Sequence, residues 1–456
     1  MAEMLSTTEG VAVEALAENA LRTRFEDLDT ETIETMKGRL IDILGCAIGG
    51  ANAPGNRGLI ELVRGWGGKG EATILVHGGR VLVQDAAMVN AVLTRSYDFE
   101  EQAPMEHQSA TIIPVALALS EMVQGSGKDF LTALIVGADV GNRISASFDF
   151  DFYQGFDNIG SLHTFASTAI AGRLLELTAS ELKNAFGIAL HQTAGSIASY
   201  WDCDTTFKLN NGFAARTGIV AAELAKAGLV GAADALQGRF GYYTLYTHGC
   251  ARPEKLTEDL GRKYILGKDM YKQFPSGRPN HVPIELGISL ASEYDIQAPD
   301  IAEVTLSLPP RYMTIYYAQP FRIRSYPVGD ALFSFRYTLA SALLRRHVDL
   351  TDMTEEAIRD PKVNALIQRI NVREIAGPRT GVEVAVKMKD GKEFRKFSDA
   401  PDRGLPGRDD IKAKFMAQVE FSRTVPVENA ETIVALLDGL EEIEDIRQII
   451  ELICAE

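Results

Sequence analysis

Several helical stretches of this chain carry no polar face. The segment ending LIDILGCAIGG (30–49) is apolar nearly all round, and 110–124, 163–177 and 180–197 are close to it. A helix of that kind is stable only when other helices surround it. About 250 N-terminal residues read as one such helix after another, joined by short loops marked by Gly and Pro, with little strand alternation. That predicts a layered helical bundle with central helices shielded from water. Hydrophobic residues make up 46% of the 456 positions, enough for a core of that size.

The pattern changes near 265–275. IAEVTLSLPP (301–310) alternates Val304, Leu306 and Leu308, as a half-buried strand does. GVEVAVKMKDGKEFRKF (381–397) alternates in the same way and turns at Asp390-Gly391, a strong hairpin signal. Helices are expected at 328–346 and 355–368 between them, and again at 409–420 and 428–454. The expected fold class is mostly α. A large all-α helical domain spans 1–268 and is completed by 405–456; a smaller α+β lid domain spans 269–404. The C-terminal helices are expected to rejoin the first domain, because a lone helical pair needs a surface to bury against.

Charge narrows the partners. The net charge of −16 argues against nucleic acid and anionic membranes. No apolar run approaches the roughly 18 residues of a membrane span. The start, MAEMLSTTEG, lacks the basic and apolar regions of a signal peptide. Cys46, Cys203, Cys250 and Cys454 are widely spaced, which predicts reduced thiols, a cytoplasmic protein and no zinc or iron–sulfur framework.

The stretch Asn90–Glu121 stands out chemically. An apolar helix leads into Asp98, Phe99, Glu100, Glu101 and Gln102; Pro104, Glu106 and His107 follow, then a second apolar run. Carboxylates and an imidazole between two buried helices are costly without partners or a task. This is the first candidate for a catalytic loop. A second His, His163, opens the small-residue helix HTFASTAIAGRLLEL.

In order and spacing, these segments resemble the MmgE/PrpD family almost end to end. The resemblance is carried by LIDILGCAIGG, Asn90–Glu121, GADVGNRI (137–144), SLHTFASTAIAGRLLELTASELKNAFGIALHQTAGS (161–196), FKLNNGFAARTGIVAAELAKAGLVGAADALQGRFG (207–241) and KQFPSGRPNH (272–281). It implies a helical domain with a lid, a homodimer, and chemistry on a small polycarboxylate with no cofactor and no metal. Members include 2-methylcitrate dehydratase, cis-aconitate decarboxylase and iminodisuccinate epimerase. Removing a proton beside a carboxylate needs cations or strong donors around that carboxylate, a base in reach, and exclusion of water.

Carried over by motif, His163 and His107 are expected to share proton transfer, with Asp98 orienting a Lys or His. Lys208, Lys272 and His281 are expected to bind substrate carboxylates. Arg278 is added as a carboxylate fork on guanidinium geometry, and Tyr317, or its neighbour Tyr316, as a lid tyrosine. The chain departs from the family's Asp-Phe-Asp-Asp-Thr in reading Asp98-Phe99-Glu100-Glu101-Gln102. Glu100, Glu101 and Glu106 are read as solvated or salt-bridged, and His191 as a core or interface residue.

The expected function is a hydro-lyase (dehydratase) acting on a 2-methylcitrate-like di- or tricarboxylate. An isomerase or epimerase, or a decarboxylase, in the same pocket is the alternative. All three require one enclosed, positively lined cleft where His107, His163 and Lys208 converge; a non-catalytic scaffold on this fold would scatter them.

Overall fold

The computed structural model describes residues 11–102, 107–149, 155–267, 270–376, 380–400, 402 and 404–454. Pro104 and Glu106 lie outside the described residues. The N-terminal part runs through α1 (Val11–Arg22), α2 (Thr30–Gly50), α3 (Asn56–Trp66), a short ladder of β1 (Ala72–Thr73) and β2 (Arg80–Val81), α4 (Val83–Arg95), α5 (Ser109–Val123), α6 (Gly127–Ala146), α7 (Asn158–Leu174), α8 (Ala179–Leu190), α9 (Ala198–Asp202), α10 (Thr206–Lys226) and α11 (Tyr242–Tyr246).

Local chemistry sets these boundaries. Ser126, the N-cap, and Asp129 close a reciprocal capping box on α6; Thr178 and Glu181 do the same on α8. Helix α7 packs against α5, α6, α8 and α10, and every residue of it from Asn158 to Gly172 is buried. Its approach to α10 depends on small residues: a Cβ on Gly218 would come within 2.3 Å of the Ser167 Cβ. Helix α2 meets the C-terminal helix α18 (Arg408–Ser422) in the same way, since a Cβ on Gly45 would lie 3.2 Å from the Phe415 backbone.

The second part contains α12 (His281–Glu293), β3 (Ile301–Leu308), α13 (Pro310–Met313), α14 (Pro327–Leu332), α15 (Phe335–Arg345), α16 (Glu355–Ile358), α17 (Pro361–Ile367), β4 (Ile370–Glu374), β5 (Val382–Met388) and β6 (Glu393–Ser398). After α18 come α19 (Val427–Asp438) and α20 (Arg447–Ile453). The sheet order is β4-β3-β5-β6, with β3 and β4 parallel and the other pairs antiparallel. Leu306 pairs with Val372 on one side and Val384 on the other, and Gly391 turns the β5–β6 hairpin at φ 90°.

Two apolar cores follow. One joins residues from α1 to α8, α10 and Tyr271 with Ile411–Ile453; the other joins α12–α17 and the sheet with Cys46, Tyr97, Phe99 and Phe207. The C-terminal helices thus pack on the helical part.

Three expected helices are broken. Ser334 caps a new helix inside 328–346, Asp360-Pro361 divides 355–368, and Gly439 interrupts 428–454. At the first two sites a side-chain cap, joined by a proline at the second, outweighs continuous apolar periodicity; at the third a helix-weakening glycine does. Strand β4 has no counterpart in the sequence reading. His191 is an exposed residue just past the end of α8, not a core residue. No helix among the described residues is long and apolar enough to cross a membrane.

Candidate active site

A cleft of about 600 Å³ opens between the two parts. From the helical side it is lined by Arg95, Asp98, Gln102, His107 and Tyr200. From the sheet side it is lined by Gly277–Pro279, Arg311, Tyr312, Tyr316, Tyr317, Phe333, Ser398, Asp399, Ala400 and Asp402.

Its floor is built by the exit of α4 and the entry to α5. Helix α4 ends on Arg95; the chain then bends at Asp98 (φ 50°) and again at His107 (φ 58°). Both are left-handed conformations that Asp and His tolerate better than most residues. The bends turn Asp98 onto Arg95 and His107 onto Asp98 and Glu100. The guanidinium donates to Asp98 Oδ1 through a very short contact and to Glu100 Oε1 at 2.6 Å, and its second amino group reaches the Tyr200 hydroxyl at 3.3 Å. Lys272 Nζ donates to the Asp98 carboxylate at 2.7 Å and to its carbonyl at 2.6 Å. His107 Nδ1 lies 2.6 Å from Glu100 Oε1, and Nε2 lies 3.6 Å from Asp98 Oδ1.

Burial and charge compete at each of these groups. Burial favours neutral carboxyls, but Arg95 and then Lys272 outweigh it and hold Asp98 below its ordinary value. Glu100 is likewise held low, with Arg95 and His107 overcoming burial. Burial, then Arg95 and Lys272, push His107 down to about 4, against the opposite pull of Glu100. His107 is therefore a neutral imidazole near pH 7, able to accept a proton. Glu100 and Glu101 are fully buried rather than solvated. Glu100 is ion-paired to Arg95, and Glu101 accepts from Ser109 Oγ at 2.5 Å.

The opposite wall carries Arg278 and His281 at the start of α12. Both face Asp402: His281 Nδ1 at 3.0 Å and Arg278 Nε at 3.5 Å. Arg278 also reaches Gln102 Oε1 at 3.4 Å. Burial would raise the Asp402 carboxyl, but His281 and Arg278 bring it down to about 2. Tyr317 stacks on Tyr316, and Tyr316 on Tyr200, with ring centroids 4.4 and 5.5 Å apart. Gly277 makes room for this column, since a Cβ there would fall 1.7 Å from the Tyr317 hydroxyl oxygen.

The structure thus brings six of the eight expected site residues together. Asp98, His107, Arg278 and Tyr317 line the cleft, Lys272 bonds to Asp98, and His281 to Asp402. His163 and Lys208 are not among the lining residues. His163 Nδ1 shares a hydrogen bond with Thr111 Oγ1 at 2.9 Å; Asn211 donates to that same oxygen at 2.9 Å and to the His107 carbonyl at 3.5 Å. The chain ends on His107's backbone, not its ring.

Lys208 follows Phe207, whose ring lies under Arg95, and turns away to Pro54 O at 2.9 Å and Asn56 Oδ1 at 2.8 Å. Burial, with no carboxylate partner among the described residues, lowers Lys208 to about 7. The expectation of a positively lined cleft also needs correction. Arg95 and Lys272 are balanced by Asp98 and Glu100, and Arg278 is paired with Asp402.

Asp98, Glu100 and His107 offer three ligand atoms within 4.8 Å of one another. The same carboxylates already hold Arg95 and Lys272, so a divalent ion would meet two fixed cations; the donor set does not suit a metal. The trio His347, Asp349 and Asp352 is similarly committed, with Asp352 bound to Arg345 and Ser341.

Sequence reasoning passed over Arg95, Tyr200, Arg311, Tyr312 and Asp402 as site residues. For Arg95 a signal existed: it stands three residues before Asp98, where a helix-terminal cation reaches a loop carboxylate. Asp402 meets α12 from more than 100 positions away, and no local pattern announces that.

Comparison with known proteins agrees with this architecture. The chain is 27% identical to human cis-aconitate decarboxylase over 385 residues, covering 79% of this chain and 77% of that one. It is 24% identical to a cis-aconitate decarboxylase-like protein of Aspergillus oryzae, over 99% of both chains. The cis-aconitate decarboxylase of Aspergillus terreus is 26% identical over 51% of this chain and 50% of its own. Residues 14–253 match the MmgE/PrpD N-terminal domain and residues 274–439 the MmgE/PrpD C-terminal domain, so the chain belongs to the MmgE/PrpD family.

Proposed function

We propose that the cleft is the active site of a lyase acting on a small di- or tricarboxylate, with His107 moving the proton on the carbon beside a carboxylate. The observation that carries this reading is the state of His107: a neutral imidazole at the cleft floor, fixed between Asp98 and Glu100. Glu100 engages Nδ1, leaving Nε2 for the substrate. Arg278 is half-buried and only loosely held, so it is placed to exchange Asp402 and Gln102 for a substrate carboxylate. Tyr317 supplies a phenol on the opposite wall, suited to donate a proton to a leaving hydroxyl or to carbon. Arg95 and Lys272 hold Asp98 and Glu100 in place beside the imidazole, Arg278 is the cation offered to the substrate carboxylate, and no metal is invoked. His163, through Thr111 and Asn211, acts as a support that fixes the His107 backbone.

Water loss is the primary reading. Loss of carbon dioxide is the second, favoured by the names of the relatives. A panel of di- and tricarboxylates incubated with the enzyme in heavy water, followed by proton NMR, separates the outcomes. Alkene signals without loss of a carboxylate mark a dehydratase. Release of carbon dioxide with deuterium delivered to carbon marks a decarboxylase, and deuterium exchange with retention of all groups marks an epimerase. An unchanged panel would overturn the proposal.

A further inference from the structure

Among the described residues, the charge balance of the cleft leaves two lining groups without an ion pair, Arg311 at the foot of α13 and Asp399 beyond β6. Arg95 and Lys272 are committed to Asp98 and Glu100, and Arg278 and His281 to Asp402. A substrate carboxylate at the floor can draw Arg278 away from Asp402. A second carboxylate, farther from the reacting carbon, needs another cation.

Among the described lining residues only Arg311 is a cation without a carboxylate partner. It stands where the chain leaves the C-terminal end of β3, the central strand flanked by β4 and β5, and begins α13. Its guanidinium carbon sits 4.9 Å over the Tyr312 ring, and its one hydrogen bond among the described residues, to the Tyr312 hydroxyl, is long at 3.5 Å. Stacking on an aromatic face pre-orients a guanidinium and leaves its edge free for a bidentate carboxylate contact. Arg311 is exposed while His107 is buried, so the two lie at the mouth and the floor of the same cleft.

We propose that Arg311 reads a second carboxylate at the cleft mouth, and that the natural substrate carries one acid group remote from the reacting carbon. This rests on the reading of the cleft as a carboxylate site. It assigns Arg311 to specificity; the proton chemistry stays at the floor.

Calorimetric titration of the full chain with acids matched in length tests it: succinate, glutarate and adipate against butyrate, valerate and hexanoate. The wild type is expected to bind the best diacid at least tenfold more tightly than the monoacid of the same length. Arg311→Leu is expected to lose five- to tenfold for that diacid while binding the monoacid within twofold of wild type. Arg311→Lys should recover part of the loss. An Arg311→Leu protein that binds the diacid as wild type does, or loses diacid and monoacid equally, overturns the assignment. If Arg278→Leu abolishes diacid binding while Arg311→Leu does not, the carboxylate site stands and only Arg311's role falls. If no acid binds the wild type, both readings fall.

Discussion

Replacing Arg95 by Met removes a charge that the structure uses twice. Arg95, Lys272, Asp98 and Glu100 are all at most 2% exposed, and together they sum to zero. Arg95→Met keeps most of the side-chain volume but leaves two buried carboxylates facing one ammonium. Breaking a buried pair in this way costs about 3–5 kcal/mol, because the remaining charge is uncompensated. At about 2.1 cal/mol/K per residue, a chain of 456 residues has an unfolding entropy of about 1 kcal/mol/K, so the thermal midpoint is expected to fall by about 3–5 °C. The second change, Glu100→Gln, removes the surplus charge. The double variant is expected to recover at least about 1 kcal/mol relative to the sum of the single changes.

The pH dependence has a definite sign. Asp98 and Glu100 have folded values below their unfolded ones, so in the wild type they stabilise above the unfolded pKa and lose that contribution as pH falls through the folded one. Without Arg95 their folded values rise. The deficit of the variant should therefore shrink between pH 7.5 and 5.5. Thermal melts of the four proteins at both pH values measure all of this. A fall below 1 °C at pH 7.5, or strict additivity in the double variant, would show that Arg95 is held by packing over Phe207 rather than by charge.

Two further outcomes follow from the perturbed groups. Lys208 is held near 7 in the folded chain, below its unfolded value, so stability should rise by about 1.4 kcal/mol per pH unit from pH 7 toward 9; Lys208→Met should abolish that rise, and parallel stability curves would refute it. His107, facing Asp98, Glu100, Arg95 and Lys272, is held at about 4, so the acid limb of activity should stay flat to pH 5 and fall near pH 4. An unperturbed His would instead give a limb near 6.5, and a limb there would assign the proton transfer to another group.

Much of this arrangement was legible in the residues themselves. The acidic loop after α4 announced itself because Asp98, Glu100 and Glu101 follow a largely apolar helix, where charge is expensive. The hairpin at Asp390-Gly391 was equally plain from its turn chemistry. What stayed hidden depends on long-range geometry. Asp402 neutralises Arg278 and His281 across more than 100 positions, so the cleft looked positive in sequence and is balanced in space. Lys208 is one helical step from Phe207, and that rotation sends it to the Pro54–Asn56 turn instead of the cleft. The broken helices at Ser334 and Asp360-Pro361 show the same limit at shorter range, where a cap competes with periodicity and only packing decides.

The central claim is that His107, at the cleft floor, moves the proton, and that His163 supports it from behind. Its most direct test is the rate of solvent deuterium exchange at carbon, in whichever acid the heavy-water panel shows to be turned over, compared between His107→Gln and His163→Gln. The account predicts a loss of at least about 100-fold for His107→Gln and a retained rate above about one-tenth for His163→Gln. A near-normal rate in His107→Gln with a collapse in His163→Gln would contradict it.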